Sequence, residues 1–285
     1  MYNSVNNIKF FIRRVQLEEK ILHSTEPGIS SEKYCDHDII VSLTTYGRRL
    51  EDVCFTIESL MQQTKKANRI ILWLDPSCFA RPLPDTLVRQ QTRGLEIKET
   101  EDIRSYKKLI AALEAYPNDA IITVDDDVLY DFDMIERLIN AYLAKPQSIH
   151  ACRIHTMLPD SKGRLKSYND WKWNFSDPAT PGRNFFTGVG GVIYPPHSLD
   201  AEVLNRPVFT SICPTADDVW FNAMARKKGT AVRKVPTRNL NGEDYLSNEA
   251  VQDMALCKVN TGQQCMNDPQ IEAVFEKYGI YDLIR

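Results

Sequence analysis

The sequence predicts an α/β fold, a Rossmann-like, mainly parallel sheet flanked by helices in a single domain behind an N-terminal helix. Three observations carry this. Apolar runs of strand length at 39–43, 70–74 and 120–124 alternate with segments of helical periodicity. The runs are near-continuously apolar, broken by Ser42 and Thr123, as strands covered on both faces are. Three of four expected strands end in polar or charged residues, where an open α/β sheet binds its ligands.

The elements follow in order. Ile8, Phe11, Ile12 and Val15 fall at helical spacing with Lys9, Arg13 and Gln16 between them. Pro27, Gly28, Ser30 and Ser31 mark a linker, with a boundary near residue 36. After the first strand, Val53, Ile57, Leu60 and Met61 form a helix face. The second strand ends at Asp75-Pro76, and residues 95–98 form a shorter third. A helix over 107–116 is stopped by Pro117, Asn118 and Asp119. The fourth strand runs into Asp125-Asp126-Asp127, and 134–143 is helical. The second half is irregular and aromatic: Trp171, Trp173, Phe175, Pro178, Pro181 and a glycine-rich turn before a short strand at 192–194. A helix over 217–228 ends at Gly229, and 230–235 reads as another strand. The expected division is a helix and linker at 1–35 and a domain at 36–285. Within the domain the expected subdivisions are 36–130, 131–240 and a C-terminal segment at 241–285.

Composition excludes several classes. With 35 Lys and Arg against 38 Asp and Glu, the net charge of −3 argues against a dedicated nucleic-acid binder. No apolar run approaches the roughly 18 residues of a membrane span. The charged N-terminus does not read as a secretory signal. Seven cysteines, scattered and without a CxxC, suit reduced thiols and a cytoplasmic protein.

Four motifs point to chemistry. Asp125, Asp126 and Asp127 repel one another unless a cation offsets them, and carboxylate oxygens suit Mg²⁺ or Mn²⁺. Side chains alternate along an extended backbone, so Asp125 and Asp127 share a side as an Asp-x-Asp clamp. A solvated acidic turn is the alternative. The loop from Thr44 to Arg49 offers hydroxyls and a ring to a base and ribose, and arginine to phosphate. Arg104, Lys107 and Lys108 place cations at a helix N-terminus, where a bound anion explains them. Asp217 and Asp218 open a later helix. One suffices as its cap, leaving the other as a general base. The glycines at 188, 190 and 191 precede a strand, not a helix. They read as a place of close backbone approach near a ligand rather than a dinucleotide fingerprint. Trp171 and Trp173 read as core before they read as a sugar platform.

Together these pieces resemble bacterial nucleotide-sugar glycosyltransferases of the GT-A fold, family-2-like and of the Asp-x-Asp type. The resemblance rests on IIVSLTTYGRRLEDVCFTIESLMQQT, RIILWLD, SYKKLIAALEAYPNDAIITVDDDVLY, GVGGVIYPP, PTADDVWFNAMARKKGT and NDPQIEAVFEKY, from about residue 38 onward. It implies that Thr44, Tyr46 and Arg48 hold the nucleotide and Asp75 contacts base or ribose. Arg104 and Lys107 would lie near the diphosphate, with Asp125 and Asp126 beside it. Asp127 and Asp125 would hold Mn²⁺ or Mg²⁺, with Asp268 or Asn267 replacing the C-terminal histidine of related enzymes. Asp218, or else Asp217, would be the base of an inverting transfer.

The expected function is metal-dependent transfer of a sugar, from a UDP-sugar, to a hydroxyl of a glycan or lipid-linked glycan, in lipopolysaccharide or capsule synthesis by analogy. The alternatives are a sugar-phosphate nucleotidyltransferase and a catalytically silent glycan-binding relative. The first helix either docks on the domain through its apolar stripe or makes a peripheral contact at the inner face of the cytoplasmic membrane.

Overall fold

A computed structural model describes residues 2–177, 179–238, 244–248, 260–262 and 265–284. Pro178 and Cys257 lie outside the described residues. The chain opens with helix α1 (Tyr2–His23) and then alternates. Strand β1 (Ile39–Thr44) leads to α2 (Val53–Met61), and β2 (Arg69–Leu74) to α3 (Asp85–Gln91). Next come β3 (Leu95–Glu99), α4 (Lys107–Ala115) and β4 (Ala120–Thr123). A short β5 (Val128–Tyr130) precedes α5 (Met134–Ala144), β6 (Ile149–Ala151) and β7 (Ile154–Thr156). A long irregular stretch leads to β8 (Asn184–Phe186) and β9 (Val192–Tyr194). Then follow α6 (Arg206–Ile212), α7 (Asp217–Lys228), β10 (Val232–Lys234), β11 (Tyr245–Ser247) and α8 (Asn267–Tyr278).

The main sheet has seven strands in the order β10-β6-β9-β4-β1-β2-β3. Strands β1, β2, β3 and β4 pair in parallel, while β9 runs antiparallel to both β4 and β6. The fold is therefore a Rossmann-like mixed α/β domain, as expected. The sheet extends across the expected subdivisions, since β6, β9 and β10 continue it. The apolar runs are its centre: Ile39, Ile40, Val41 and Leu43, and Ile70, Ile71, Leu72 and Leu74, are fully buried. One side chain set packs under α2, α3 and α5, the other under α4 and α7.

Two features of this sheet position the site. The chain moves outward from β1 to β2 and β3, then returns to place β4 on the other side of β1. A crevice opens at such a switch point beyond the carboxyl ends of the strands. Second, a buried ion pair braces the first half. Arg93 donates to Glu58 through both terminal nitrogens, at 2.8 and 3.0 Å, with Glu58 fully buried.

Helix α1 docks on α2 and α3, in accord with one of the two expectations, but through the face opposite to the expected stripe. Leu17 and Ile21 are the residues buried there. Arg14 pairs with Asp52 at 2.9 Å and lies over the Phe55 ring. Ile8, Phe11, Ile12 and Val15 face outward. No helix among the described residues is long and apolar enough to cross a membrane.

Candidate functional site

The switch point holds the Asp cluster. At the end of β1, Thr44 donates to the Trp73 carbonyl at 2.8 Å, which locks the strand ends together. The next residue, Thr45, reaches across the crevice and donates to Asp126 Oδ2 at 2.6 Å. Gly47 takes a positive φ of 56° and lets the chain turn, which brings Arg49 back over the cluster. Arg49 donates to Asp126 Oδ1 at 2.9 Å and lies 3.1 Å from Asp127 Oδ2. Thr56 donates to the Asp126 and Val128 carbonyls. Asp126 is thus a pinned, buried carboxylate. Burial pushes its carboxyl up by more than Arg49 and Thr45 pull it down.

Asp127 shares Arg49 with Asp126, whereas Asp125 turns toward α4. Asp125 is the most open of the three, its side chain 29% exposed against 8% for Asp126. Lys108 at the start of α4 meets Asp125 Oδ1 at 2.7 Å and lies 3.3 Å from Asp217 Oδ2. Burial alone would discharge Lys108, but Asp125, Asp217 and Asp218 overrule it and hold the ammonium well above its ordinary range. The Tyr130 hydroxyl accepts from Asp125 N at 2.9 Å and donates to the Val189 carbonyl at 3.0 Å. That buried phenol ties the acidic turn to the glycine-rich turn.

The facing wall comes from the second half. Asp217 and Asp218 occupy the first turn of α7, yet neither caps it: the N-cap position is Ala216, with no side-chain cap. Both oxygens of Asp218 accept from Gly188 N, at 3.1 and 3.2 Å. A Cβ on Gly188 would sit 3.1 Å from Lys108 Nζ, a tight contact that the lysine would have to relieve by a small shift. Burial, then the Asp217 charge, push the Asp218 carboxyl up to about 7 against the pull of Lys108. Asn222, one turn on, fixes α7 against β8 by donating to the Phe186 carbonyl and accepting from Phe186 N.

Between the walls lies a cavity of about 650 Å³. It is lined by all three aspartates of the cluster, Asp217 and Asp218, the cations Arg49, Arg104, Lys107, Lys108 and Arg153, and the rings of Tyr46, Tyr168, Trp173 and Phe185. Trp171 and Trp173 part company: Trp171 is 4% exposed and packs on Phe185, whereas Trp173 is 44% exposed and lines the cavity. The Arg153 guanidinium lies 5.5 Å from the Trp173 ring centre. Its Nε is buried and has no hydrogen-bond partner among the described residues.

Thr44, Tyr46, Arg104, Lys107, Asp125, Asp126, Asp127, Asp217 and Asp218 therefore meet in one place. Three expected residues do not line the cavity. Asp75 stands behind Lys107 and accepts from it at 2.9 Å. Burial would raise its carboxyl, but Ser77 and Lys107 outweigh that and hold it down at about 2. Arg48 is exposed, and its neighbour Arg49 is the guanidinium that faces the crevice. Asp268 accepts from Ser167 Oγ at 2.6 Å and Tyr168 N at 2.7 Å. Both its oxygens hold the loop that presents Tyr168, and Asn267 is the neighbour that lines the cavity. Arg153 was missed; Arg49 and Lys108 were named within their motifs but given no place of their own at the site, and Trp173 was read as core first. For Lys108 a signal existed, since successive residues on a helix point about 100° apart: Lys107 meets Asp75 while Lys108 meets Asp125.

Asp125 and Asp127 are the residues that could hold a metal, since their oxygens are of the kind hard divalent cations take. The set is not a preassembled cage. Among the described residues, the group of three potential ligands gathered within 4.8 Å is Cys35, Asp36 and His37, before the amino end of β1. In the cluster each carboxylate instead holds a cationic side chain.

No protein-family model and no curated protein matches the chain. Solved structures that resemble it include HddC from Yersinia pseudotuberculosis, at 13% identity and TM-score 0.38. That match covers 56% of this chain and 78% of the other. A 4-diphosphocytidyl-2C-methyl-D-erythritol synthase matches at 9% identity and TM-score 0.45, covering 80% of this chain and all of the other. The comparisons do not bear out the expectation of sugar transfer from a nucleotide-diphosphate sugar to a glycan hydroxyl. At this distance the residues of the cleft have to carry the functional argument.

Proposed function

We propose that the chain is a metal-dependent nucleotidyltransferase that joins a nucleoside monophosphate unit to a phosphorylated sugar. One observation carries the reading. A single cleft at the switch point combines an oxygen donor pair, Asp125 and Asp127, with five cationic side chains, one of them presenting a buried Nε without a partner. Arg49, Lys107 and Lys108 already hold carboxylates, so the side chains of Arg104 and Arg153 are the cations that a triphosphate and a second phosphate would engage, with a metal joining Asp125 and Asp127.

In this reading an oxygen of the sugar phosphate attacks the α-phosphorus of a nucleoside triphosphate. The bond from that phosphorus to the oxygen bridging the β-phosphate breaks, and pyrophosphate leaves. The attacking phosphate is already ionised at neutral pH, so the step asks for charge neutralisation and positioning rather than a strong base. Asp125 and Asp127 would hold Mg²⁺ or Mn²⁺, which when bound supplies charge stabilisation on the phosphate oxygens. Thr44 and Tyr46 face the nucleoside, with the Tyr46 ring at the mouth of the cleft as a stacking surface. Arg104 engages the triphosphate. Arg153 takes the phosphate of the sugar, and Trp173 covers its ring. Arg49 and Asp126 keep the acidic turn in place.

The test incubates the full chain with each nucleoside triphosphate, a panel of sugar 1-phosphates and Mg²⁺, and reads pyrophosphate release and a nucleotide-sugar product. Expected are release that requires both substrates and the metal, and a rise in KM for the sugar phosphate in Arg153→Ala. No release across the panel, with the protein shown to be folded, would remove the proposal.

A further inference from the structure

Helix α1 carries a second pattern on the face it does not dock. Val5, Ile8, Ile12, Val15, Glu19 and Leu22 are spaced 3, 4, 3, 4 and 3 residues apart, the a and d positions of three heptads. All six are exposed, the five apolar ones between 47% and 60%. Phe11, 65% exposed, flanks the stripe. A helix that only caps a domain needs one apolar face. This one already has it in Leu17 and Ile21, nearly opposite on the helical wheel. A strict 3.5-residue repeat is the period at which one helix meets another helix.

We propose that this face pairs with α1 of a second copy of the chain, in antiparallel orientation, to form a two-fold dimer. Area and charge support that occupant. The exposed parts of these side chains amount to roughly 500 Å² per copy, so pairing removes about 1,000 Å² from water, the lower limit for a specific interface. The single charged seam residue, Glu19, sets the orientation. In a parallel pair a faces a, and two Glu19 carboxylates would meet in the seam. In an antiparallel pair a faces d. Val5 then opposes Leu22, Ile12 opposes Val15, and Glu19 opposes Ile8, beside the exposed Lys9 of the other helix. Two-fold symmetry makes the Lys9–Glu19 contact twice.

Light scattering on the full chain over a dilution series, with an anionic phosphatidylglycerol vesicle pelleting assay alongside, tests this. The expected result is a dimer that dissociates on dilution, and a monomer for Ile12→Glu with an unchanged circular dichroism spectrum. Lys9→Glu and Glu19→Lys should each weaken the dimer about fivefold, and the double swap should restore it. A monomer at about 100 µM, or binding to vesicles that Ile12→Glu abolishes while the chain stays monomeric, would overturn the proposal. Single swaps that leave the dimer unchanged would overturn the antiparallel arrangement.

Discussion

The two walls of the cleft are built differently. One is made at the ends of β1, β2 and β4, where strand pairing fixes the backbone and short polar side chains lock it. Thr45, Arg49 and Thr56 all converge on Asp126. The other wall is made of loops and the first turn of α7, held by side chains that bridge distant segments. Asp268 reaches Ser167 and Tyr168, and Asn222 reaches Phe186. The first wall places charge with little freedom. The second presents ring surface and one buried guanidinium nitrogen. Chemistry that tolerates no displacement belongs on strand ends, and recognition that varies from substrate to substrate belongs on loops.

Substitutions on the two walls should separate turnover from affinity. The largest effect is expected at Asp127→Asn. If Asp127 holds the metal as proposed, its loss removes several kcal/mol of charge stabilisation, on the order of a 1,000-fold fall in kcat, with the melting temperature little changed. Steady-state kinetics with a metal titration checks this, and kcat within tenfold of the parent would break the comparison. Next comes the brace behind the first wall. Glu58→Ala leaves Arg93 buried and unpaired, and should cost about 3–5 kcal/mol in a urea titration. A cost below about 1 kcal/mol would show that the first wall does not depend on its brace.

The third effect is a pH dependence. In the folded chain Asp218 keeps its proton up to about pH 7, whereas an ordinary aspartate releases it near 3.8. Between those values the folded state binds more protons than the unfolded state, so stability should fall as pH rises through this window. Asp218→Asn should flatten that slope. The difference is at most about 4 kcal/mol, an upper bound because the charges of Asp217 and Lys108 beside it share the effect. Urea midpoints at pH 5 and pH 8 measure it, and an unchanged slope in the variant would place the proton elsewhere. The smallest effect belongs to the second wall. Trp173→Ala should raise KM for the sugar phosphate about tenfold, roughly 1.4 kcal/mol, and leave kcat within about twofold. A drop in turnover by about two orders of magnitude would show that the aromatic wall takes part in the chemical step.

The strand-built wall was legible in the sequence because its signals are local. An apolar run followed by a polar end marks a strand and its ligand side at once, and Thr44, Tyr46, Asp125, Asp126 and Asp127 all sit one to four residues beyond such a run. The helix from Asp217 to Lys228, with Gly229 as its left-handed end, was legible for the same reason. The loop-built wall was not. Nothing near Arg153 in sequence tells that its guanidinium shares a cavity with Asp125. Nor does an alternating pair of tryptophans tell which ring is core. Asp268 was misplaced because its partners, Ser167 and Tyr168, lie about 100 residues away. The stripe on α1 shows a related limit, since periodicity reveals an apolar face without naming the surface that covers it.

By itself, then, the sequence determined the α/β class, the strand ends and the residue types of the acidic cluster, because periodicity and turn chemistry act over a few residues. Only the tertiary structure decided which neighbour of each pair faces the crevice: Arg49 rather than Arg48, Lys108 to Asp125 while Lys107 serves Asp75, Asn267 rather than Asp268. Those choices turn on the rotation of each element about its own axis. Packing sets that rotation against segments tens to a hundred residues away.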